Sequence, residues 1–251
     1  MKAMIFAAGL GTRLKPVTDT KPKALVPVEG RPLLERVMRK LIAAGADSFV
    51  VNVHHFPEQI KDFLAANGNF GVDVAISDEQ PELLETGGGI LNARNLLQKE
   101  GDEESFLVHN VDILSNLDVR SFVAQVRPEA LATLLVSERV TQRYFLFDDD
   151  MRLVGWTNVA TGEVRSPFAG LDVSKCHKYA FAGVHYVSGK VFDVMEELGF
   201  AGRFPIVDFY LKAAGTYPIY GVAPAGLKLL DVGKISTLGS CRSFLEEIGE
   251  E

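Results

Sequence analysis

Two glycines and two cations near the start of the chain form a pattern that can bind a triphosphate. Gly9 and Gly11 follow an apolar run at residues 3–8, and Arg13 and Lys23 come soon after. Glycine adopts positive φ and lets backbone N–H groups approach an anion closely, while arginine and lysine bring fixed and mobile positive charge. We therefore expect a buried strand that ends in a phosphate-binding loop, with a nucleoside triphosphate as its ligand.

The spacing Gly-x-Gly is a weak signal by itself, because it completes neither the dinucleotide fingerprint nor the Walker A pattern. The flanking residues are more specific. Residues 9–14 read Gly-Leu-Gly-Thr-Arg-Leu, and residues 21–28 read Lys-Pro-Lys-Ala-Leu-Val-Pro-Val. These two segments resemble the N-terminal signature of the sugar-1-phosphate nucleotidyltransferase family.

Four later segments resemble the same family and occur in the same order. They are residues 85–89 (Glu-Thr-Gly-Gly-Gly), 109–112 (His-Asn-Val-Asp), 181–184 (Phe-Ala-Gly-Val) and 231–233 (Asp-Val-Gly). The resemblance covers essentially the whole chain and is strongest over residues 1–112. It implies transfer of a nucleotidyl group from an NTP to a sugar 1-phosphate, with release of pyrophosphate.

This reaction needs no covalent nucleophile, because the enzyme mainly positions anions and neutralises the charge that develops on them. The resemblance implies that Asp112 and Asp231 hold a Mg²⁺ ion, which prefers hard oxygen ligands. Arg13 is expected to clamp the β- and γ-phosphates, and Lys23 to meet the α-phosphate or the acceptor phosphate. Arg13 and Lys23 are therefore the predicted catalytic residues.

The nucleotide is expected to contact the N-terminal loop, Lys23 and the segment that begins at Glu85. Three consecutive glycines at the start of a helical pattern favour close approach of the backbone to a ligand, here the base or the ribose. Residues 77–80, just before, are candidates for reading the base edge. The predicted nucleotide-binding residues are Ala8, Gly9, Gly11, Thr12, Arg13, Lys23, Glu85, Thr86, Gly87 and Gly88.

The acceptor sugar is expected to contact residues of the second half of the chain together with Asn110. In the family a small residue and a glycine admit the sugar ring, although a β-bulge explains Gly183 equally well. The predicted sugar-binding residues are Asn110, Thr157, Asn158, Ala182 and Gly183.

Two positions depart from the family pattern. Val111 stands where the family usually has glycine before the first metal aspartate, and valine disfavours positive φ. The Glu-Lys-Pro sugar motif is absent after Trp156, which argues against the thymidylyltransferases of the rhamnose pathway and favours a divergent acceptor. Both departures bear on which sugar is bound rather than on the reaction.

The single short domain and residues 84–90 (Leu-Glu-Thr-Gly-Gly-Gly-Ile) resemble the uridylyltransferases that act on N-acetylmuramate 1-phosphate. The guanylyltransferases of mannose or heptose 1-phosphate share much of this pattern and are the close alternative. A phosphocholine cytidylyltransferase, which needs a cage for a quaternary ammonium, also remains open. So does a non-catalytic homologue that only binds a nucleotide.

Alternating apolar runs and amphipathic segments must position these residues. Strands are predicted near residues 2–8, 49–53, 72–76, 105–109 and 131–136, and helices near 32–44, 57–66, 88–98 and 118–126. Repeated βαβ units predict an α/β fold, a Rossmann-like three-layer αβα sandwich with a mixed, mostly parallel sheet. Ligands of such sheets bind at the carboxyl ends of the strands.

The second half of the chain predicts a small antiparallel subregion on the acceptor side. A hairpin is predicted at 144–147 and 153–156, strands near 179–187, 217–222 and 227–231, a helix through 206–211 and a closing helix from about 234. We expect one domain, 1–251, with a nucleotide-binding half up to about residue 135 and a sugar-phosphate-binding half after it. No hexapeptide repeat follows Asp231, so no second, acetyl-transferring activity is expected.

Composition restricts the partners. The chain has 251 residues, 47% of them hydrophobic, and a formal net charge of −7, which argues against a nucleic-acid-binding surface. It has no apolar run long enough for a membrane span, so we expect a cytoplasmic protein without a membrane partner, either a monomer or a weak homodimer. Cys176 and Cys241 stand far apart and suggest neither a zinc site nor a disulfide.

Overall fold

Strands and helices alternate along the chain in the computed structural model, which describes residues 1–98 and 103–250. The strands are β1 (Lys2–Phe6), β2 (Pro27–Val28), β3 (Arg31–Pro32), β4 (Ser48–Val53), β5 (Asp73–Asp78), β6 (Phe106–Asn110), β7 (Ile113–Ser115), β8 (Ala132–Ser137), β9 (Arg143–Phe147), β10 (Leu153–Asn158), β11 (Glu163–Arg165), β12 (His177–Val187), β13 (Ile219–Val222) and β14 (Leu229–Asp231). The helices are α1 (Leu33–Ala43), α2 (Pro57–Ala66), α3 (Glu85–Asn92), α4 (Arg94–Leu97), α5 (Val119–Val123), α6 (Val191–Glu197), α7 (Ile206–Ala213), α8 (Ile235–Leu238) and α9 (Cys241–Ile248).

One large sheet organises the molecule. Its strand order is β11-β10-β9-β12-β6-β1-β4-β5, and β8 and β13 extend it from the other edge of β12. The strands β6, β1, β4 and β5 run parallel, whereas β12 pairs antiparallel with β6, β8 and β9. The parallel part lies before residue 135 and the antiparallel part around β9 to β11 lies after it; the assignment of the nucleotide to the first half and of the sugar phosphate to the second stays a prediction.

Helices cover both faces of the sheet, which makes the three layers predicted from the sequence. One apolar core joins the sheet to α1, α2, α5 and α9. The second core, on the opposite face, joins it to α3, α4, α6 and α7. The predicted fold class is therefore confirmed.

Helix α1 illustrates how the sequence fixes these elements. Its buried side chains recur at three- and four-residue spacing, as in Leu34, Met38 and Leu41, which gives a helix one apolar face. Pro32 precedes the first turn, where a proline costs no hydrogen bond, and Gly45, with φ +96°, follows its end.

Several predicted bounds shift in the structure. The helix expected near 88–98 begins at Glu85 and is divided into α3 and α4 around Ala93, and the closing helix is divided into α8 and α9. The elements β2, β3, β7, β11 and α6 were not predicted. The three residues of β7 pair with β14, and this pairing brings Asp231 next to the loop that carries Asp112.

None of the helices in the described ranges is both long enough and apolar enough to cross a membrane.

Candidate active site

A cleft of about 320 Å³ opens at the carboxyl ends of β1, β4, β5 and β6. Its position agrees with the rule that parallel sheets bind ligands at this edge. Seven of the residues predicted for the site line it. The lining residues are Phe6, Ala7, Ala8, Gly9, Lys23, Asn52, Glu79, Leu83, Glu85, Thr86, Asn110, Val111 and Asp112.

The loop after β1 has the backbone conformation that its glycines predict. Gly11 has φ +63°, and the Thr18 hydroxyl donates a hydrogen bond to the Gly11 carbonyl at 2.8 Å. A Cβ at residue 11 would lie 2.8 Å from Thr18 Cγ2, so both φ and space require glycine. Gly9 is exposed and has open space around it, which leaves its backbone accessible to a ligand.

Lys23 and Asp112 form an ion pair at one end of the cleft. Pro22 precedes the turn Lys23–Leu25, and its fixed φ stiffens the approach of the lysine. Lys23 is only 8% exposed. Because little water surrounds the Lys23 ammonium, its attraction to phosphate oxygens that enter the cleft is only weakly screened.

Asp231 lies beside this pair. The Val232 N–H donates to the Asp112 carbonyl at 2.8 Å, so the two aspartates occupy adjacent segments. Asp231 Oδ1 is buried and has no hydrogen-bond partner among the described residues. An unpartnered buried carboxylate oxygen is costly unless something binds it.

Gly233 leaves space that the side chains of Arg13 and Asp231 both approach. A Cβ at residue 233 would lie 2.5 Å from Asp231 Oδ1 and 2.8 Å from Arg13 Nη2. The absent side chain therefore lets the Arg13 guanidinium and the Asp231 carboxylate lie near each other without a direct hydrogen bond. The structure thus brings together the four charged residues that the sequence predicted: Arg13, Lys23, Asp112 and Asp231.

Val111 has a regular place in the strand connection. Its N–H donates to the Phe6 carbonyl at 3.2 Å, which continues the pairing between β1 and β6. It is 4% exposed and is not among the residues with positive φ. The loop before Asp112 therefore needs no glycine in this chain.

The other end of the cleft contains a buried polar pair: Glu79, from the segment 77–80 predicted to read the base edge, and Asn52, which sequence reasoning missed. The Asn52 side-chain amide donates to Glu79 Oε1, and the Leu84 N–H donates to Glu79 Oε2 at 2.8 Å. Asn52 Oδ1 is buried without a partner among the described residues. The signal that could have found Asn52 is its polar side chain inside the apolar run Val50-Val51-Asn52-Val53.

Glu85 begins α3 in an uncommon conformation, with φ +62°. Its carboxylate pairs with Arg203 Nη2 at 2.9 Å, and the Thr86 hydroxyl accepts from the Ile206 N–H at 2.9 Å. A non-glycine residue in the left-handed region is found where the surroundings enforce it, often at functional sites. The segment 203–206 supplies that enforcement here.

The glycines of α3 have a packing reason that the sequence did not reveal. A Cβ at Gly87 would lie 2.3 Å from the Phe204 ring, and one at Gly88 would lie 2.2 Å from the Gly202 carbonyl oxygen. The N–H groups of Gly87 and Gly88 both donate to the Phe204 carbonyl. Neither glycine lines the cleft, so the expectation that the run exists to admit a ligand is corrected, while contact with the nucleotide stays a prediction.

The predicted sugar-binding residues are placed unevenly. Asn110 lines the cleft and packs over Gly183, where a Cβ would lie 2.6 Å from Asn110 Nδ2. Gly183 has φ +73° and lies in a register shift between β12 and β8, so a β-bulge accounts for this glycine. Ala182 is buried in the core beside it.

Thr157 and Asn158 do not join the cleft lining. The Thr157 hydroxyl donates to the Glu163 carbonyl at 3.0 Å, and Asn158 Oδ1 accepts from the Ala160 N–H at 3.1 Å. Both side chains therefore stabilise the connection between β10 and β11.

Two buried histidines lie close behind the site. Burial lowers the pKa of His109 to about 4, although its ring Nδ1 is 2.8 Å from the Asn110 carbonyl oxygen. Burial likewise lowers the pKa of His185 to about 3. His185 Nδ1 and the Tyr210 hydroxyl share a hydrogen bond of 2.5 Å, and both imidazole rings are neutral at pH 7.

The sequence matches a known family model and curated relatives, among them two uridylyltransferases. The model described as nucleotidyl transferase matches residues 2–145. N-acetylmuramate alpha-1-phosphate uridylyltransferase of Caulobacter vibrioides is 32% identical over 235 residues, which cover 90% of this chain and 89% of the relative. The protein of the same name from Neisseria meningitidis serogroup B is 43% identical over 118 residues, 47% of this chain and 49% of the relative.

The fold matches a solved structure over nearly its full length. HddC from Yersinia pseudotuberculosis, complexed with GMP-PN, superposes with a TM-score of 0.74 at 22% identity, over 97% of this chain and 99% of that chain. At this identity the match shows a shared fold.

Proposed function

The chain belongs to the nucleotidyl transferase family and is a sugar-1-phosphate nucleotidyltransferase, and we propose that it transfers the uridylyl group of UTP to N-acetylmuramate 1-phosphate with the help of Mg²⁺. The observation that carries the choice of substrates is the likeness to the Caulobacter vibrioides enzyme, which spans 90% of this chain and 89% of that one. The cleft and its charged end support the reaction itself.

The chain's own residues would act mainly by position and charge. The backbone around Gly9 and Gly11 would hold the triphosphate, and the Arg13 guanidinium would stabilise the negative charge that builds on the departing pyrophosphate. Lys23 would exchange its present partner, Asp112, for phosphate oxygens and thereby draw the two phosphates together. The sugar-phosphate oxygen then attacks the α-phosphorus in line, and the bond to pyrophosphate breaks.

Asp112 and Asp231 are the residues that would hold Mg²⁺. Their oxygens are the hard ligands that this ion prefers, and Asp231 Oδ1 is buried without a partner in the described part of the chain. No group of three or more candidate metal ligands occurs in the described ranges, so phosphate oxygens and water would have to complete the shell of the ion. When bound, the ion neutralises phosphate charge and lowers the barrier to attack.

The proposal is tested by pyrophosphate release across a matrix of nucleotides and acceptors. UTP, GTP, CTP and dTTP are each combined with the 1-phosphates of N-acetylmuramate, N-acetylglucosamine, mannose and heptose, and with phosphocholine, with Mg²⁺ or with EDTA. N-acetylglucosamine 1-phosphate is the matched acceptor, since it lacks only the lactyl group of N-acetylmuramate. We expect turnover with UTP and N-acetylmuramate 1-phosphate alone, and only with Mg²⁺. Preferred turnover of any other pair overturns the substrate proposal, and full turnover in EDTA overturns the metal.

A further inference from the structure

The orientation of the Asn52 amide is fixed by its neighbour. An ionised carboxylate only accepts hydrogen bonds, so the amide nitrogen of Asn52 must face Glu79. Glu79 is itself held, because the Leu84 N–H donates to its second oxygen at 2.8 Å. Gly89 makes room for the pair, since a Cβ there would lie 2.6 Å from Glu79 Oε1 and 3.2 Å from Asn52 Nδ2.

The fixed orientation leaves Asn52 Oδ1 as an acceptor without a donor. Asn52 is fully buried and Glu79 is 3% exposed, and Asn52 Oδ1 has no hydrogen-bond partner among residues 1–98 and 103–250. Both residues line the cleft. A buried polar atom of this kind is expensive unless a ligand supplies the missing hydrogen bond.

Asn52 Oδ1 lies at the end of the cleft away from Lys23 and Asp112. Asn52 is on β4 and pairs with Phe6 of β1, which in turn pairs with Asn110 of β6. Two strand spacings, about 10 Å, therefore separate Asn52 from the strand that leads to Asp112. A nucleotide whose phosphates meet Lys23 and Arg13 has its base at the Asn52 end.

We propose that Asn52 Oδ1 accepts a hydrogen bond from the ring N–H of uracil, and that Glu79 is a positioning residue that keeps this oxygen turned to the base. The inference rests on the proposed function for the choice of base. Uracil carries a donor at its N3 position, whereas cytosine carries an acceptor there. Cytosine would bring two acceptors together, so the pair selects UTP over CTP.

Glu79→Gln is the sharpest test because it preserves size and both hydrogen bonds of residue 79. The glutamine oxygen can still accept from the Leu84 N–H, while its amide nitrogen donates to Asn52 Oδ1 and turns the Asn52 amide nitrogen towards the base. Dissociation constants of UTP and CTP are measured by calorimetry without any sugar phosphate, so the result does not depend on the acceptor. We expect the preference for UTP over CTP to fall by about tenfold or more.

Two further variants keep the test decisive. Asn52→Ala removes the acceptor oxygen and, unlike Glu79→Gln, turns no amide nitrogen towards the base. It should weaken UTP binding about tenfold while CTP binding changes little. Asn92→Ala is the matched control: Asn92 lies on the same helix as Gly89 and donates to Ser77 at 3.2 Å, outside the cleft lining. It should keep the wild-type ratio.

The outcomes separate this inference from the proposed function. If the wild type prefers UTP and both variants keep that preference, the inference is overturned while the substrate proposal stands. If Asn52→Ala weakens UTP and CTP binding equally, the role is structural and the inference is overturned. A wild type without preference for UTP over CTP overturns the choice of base and the inference together.

Discussion

Lys23 is a cation held in little water, and its only ion-pair partner among the described residues is Asp112. Separating such a pair by removing one partner leaves a buried charge uncompensated. Asp231 is different, because its buried Oδ1 has no hydrogen-bond partner to lose in the described chain. The two aspartates therefore allow a role in catalysis to be separated from a role in stability.

We expect Asp231→Asn to abolish turnover, with kcat/KM lowered by at least about 100-fold, and to leave the melting temperature within a few degrees of the wild type. Asp112→Asn should lose as much activity and some stability as well. The measurements are steady-state pyrophosphate release and thermal unfolding by circular dichroism. Asp172→Asn, at an exposed turn, is the control and should keep full activity. Near-normal activity of Asp231→Asn would refute its assignment as a metal ligand.

At this scale the sequence predicted the charged residues and the segment 77–80 that contains Glu79, but it missed Asn52. Arg13 and Lys23 stand in a signature whose spacing is local, so the sequence alone locates them. Asn52 and Glu79 meet because β4 and β5 pair in one particular register. That register cannot be deduced from a single sequence. Thr157 was expected to offer a partner to the sugar hydroxyls; in the structure its hydroxyl donates to the Glu163 carbonyl, and its contact with the sugar stays a prediction.

At the scale of elements, α3 depends on its contact with residues 202–204. Replacement of an exposed glycine inside a helix by alanine usually stabilises the protein, by about 1 kcal/mol. Gly87 should show the opposite, because the added Cβ would lie 2.3 Å from the Phe204 ring. The glycine run is thus part of the interface between α3 and the segment before α7.

We expect Gly87→Ala to lower the free energy of unfolding by about 1–3 kcal/mol, the usual range for overpacking. Urea denaturation followed by circular dichroism measures it. Gly239→Ala is the matched control, since a Cβ there meets nothing within 4 Å and the residue has a helical φ of −65°. A Gly87→Ala protein at least as stable as the wild type would contradict the packing role.

The sequence predicted long elements better than short ones. The apolar runs of β1, β4 and β6 and the amphipathic pattern of α1 are strong local signals, and the structure has all four. The strand β7 contains three residues and is stabilised by its pairing with β14, a contact distant in sequence. The predicted helix near 88–98 starts three residues too late, because α3 begins at Glu85. The residue that packs against its glycines, Phe204, lies more than 100 residues later in the chain.

At the scale of the whole molecule, two neutral histidines inside the sheet make stability depend on pH. Burial lowers the pKa of His109 to about 4 and that of His185 to about 3, against about 6.5 in the unfolded chain. The unfolded state therefore binds more protons than the folded state between these values. The contribution of the two neutral histidines to stability is fully present above about pH 6.5 and decreases as the pH falls towards 4.

We expect the free energy of unfolding to fall between pH 6.5 and 5 by up to about 1.4 kcal/mol per pH unit for each histidine. Most carboxylates titrate below this window, so the histidines dominate it. Urea denaturation at closely spaced pH values measures the slope. His109→Asn should reduce it by up to half, whereas His177→Asn, at the exposed start of β12, should not. An equal slope in wild type and His109→Asn would contradict the assignment.

The strand β12 joins the two halves of the molecule. Its last residues pair with β6, its first residues pair with β9, and β8 pairs along its other edge. Because one continuous strand pairs with both parts of the sheet, we expect the two parts to move together rather than as independent bodies. Entry of substrates and departure of products would then depend on the surface loops around the cleft.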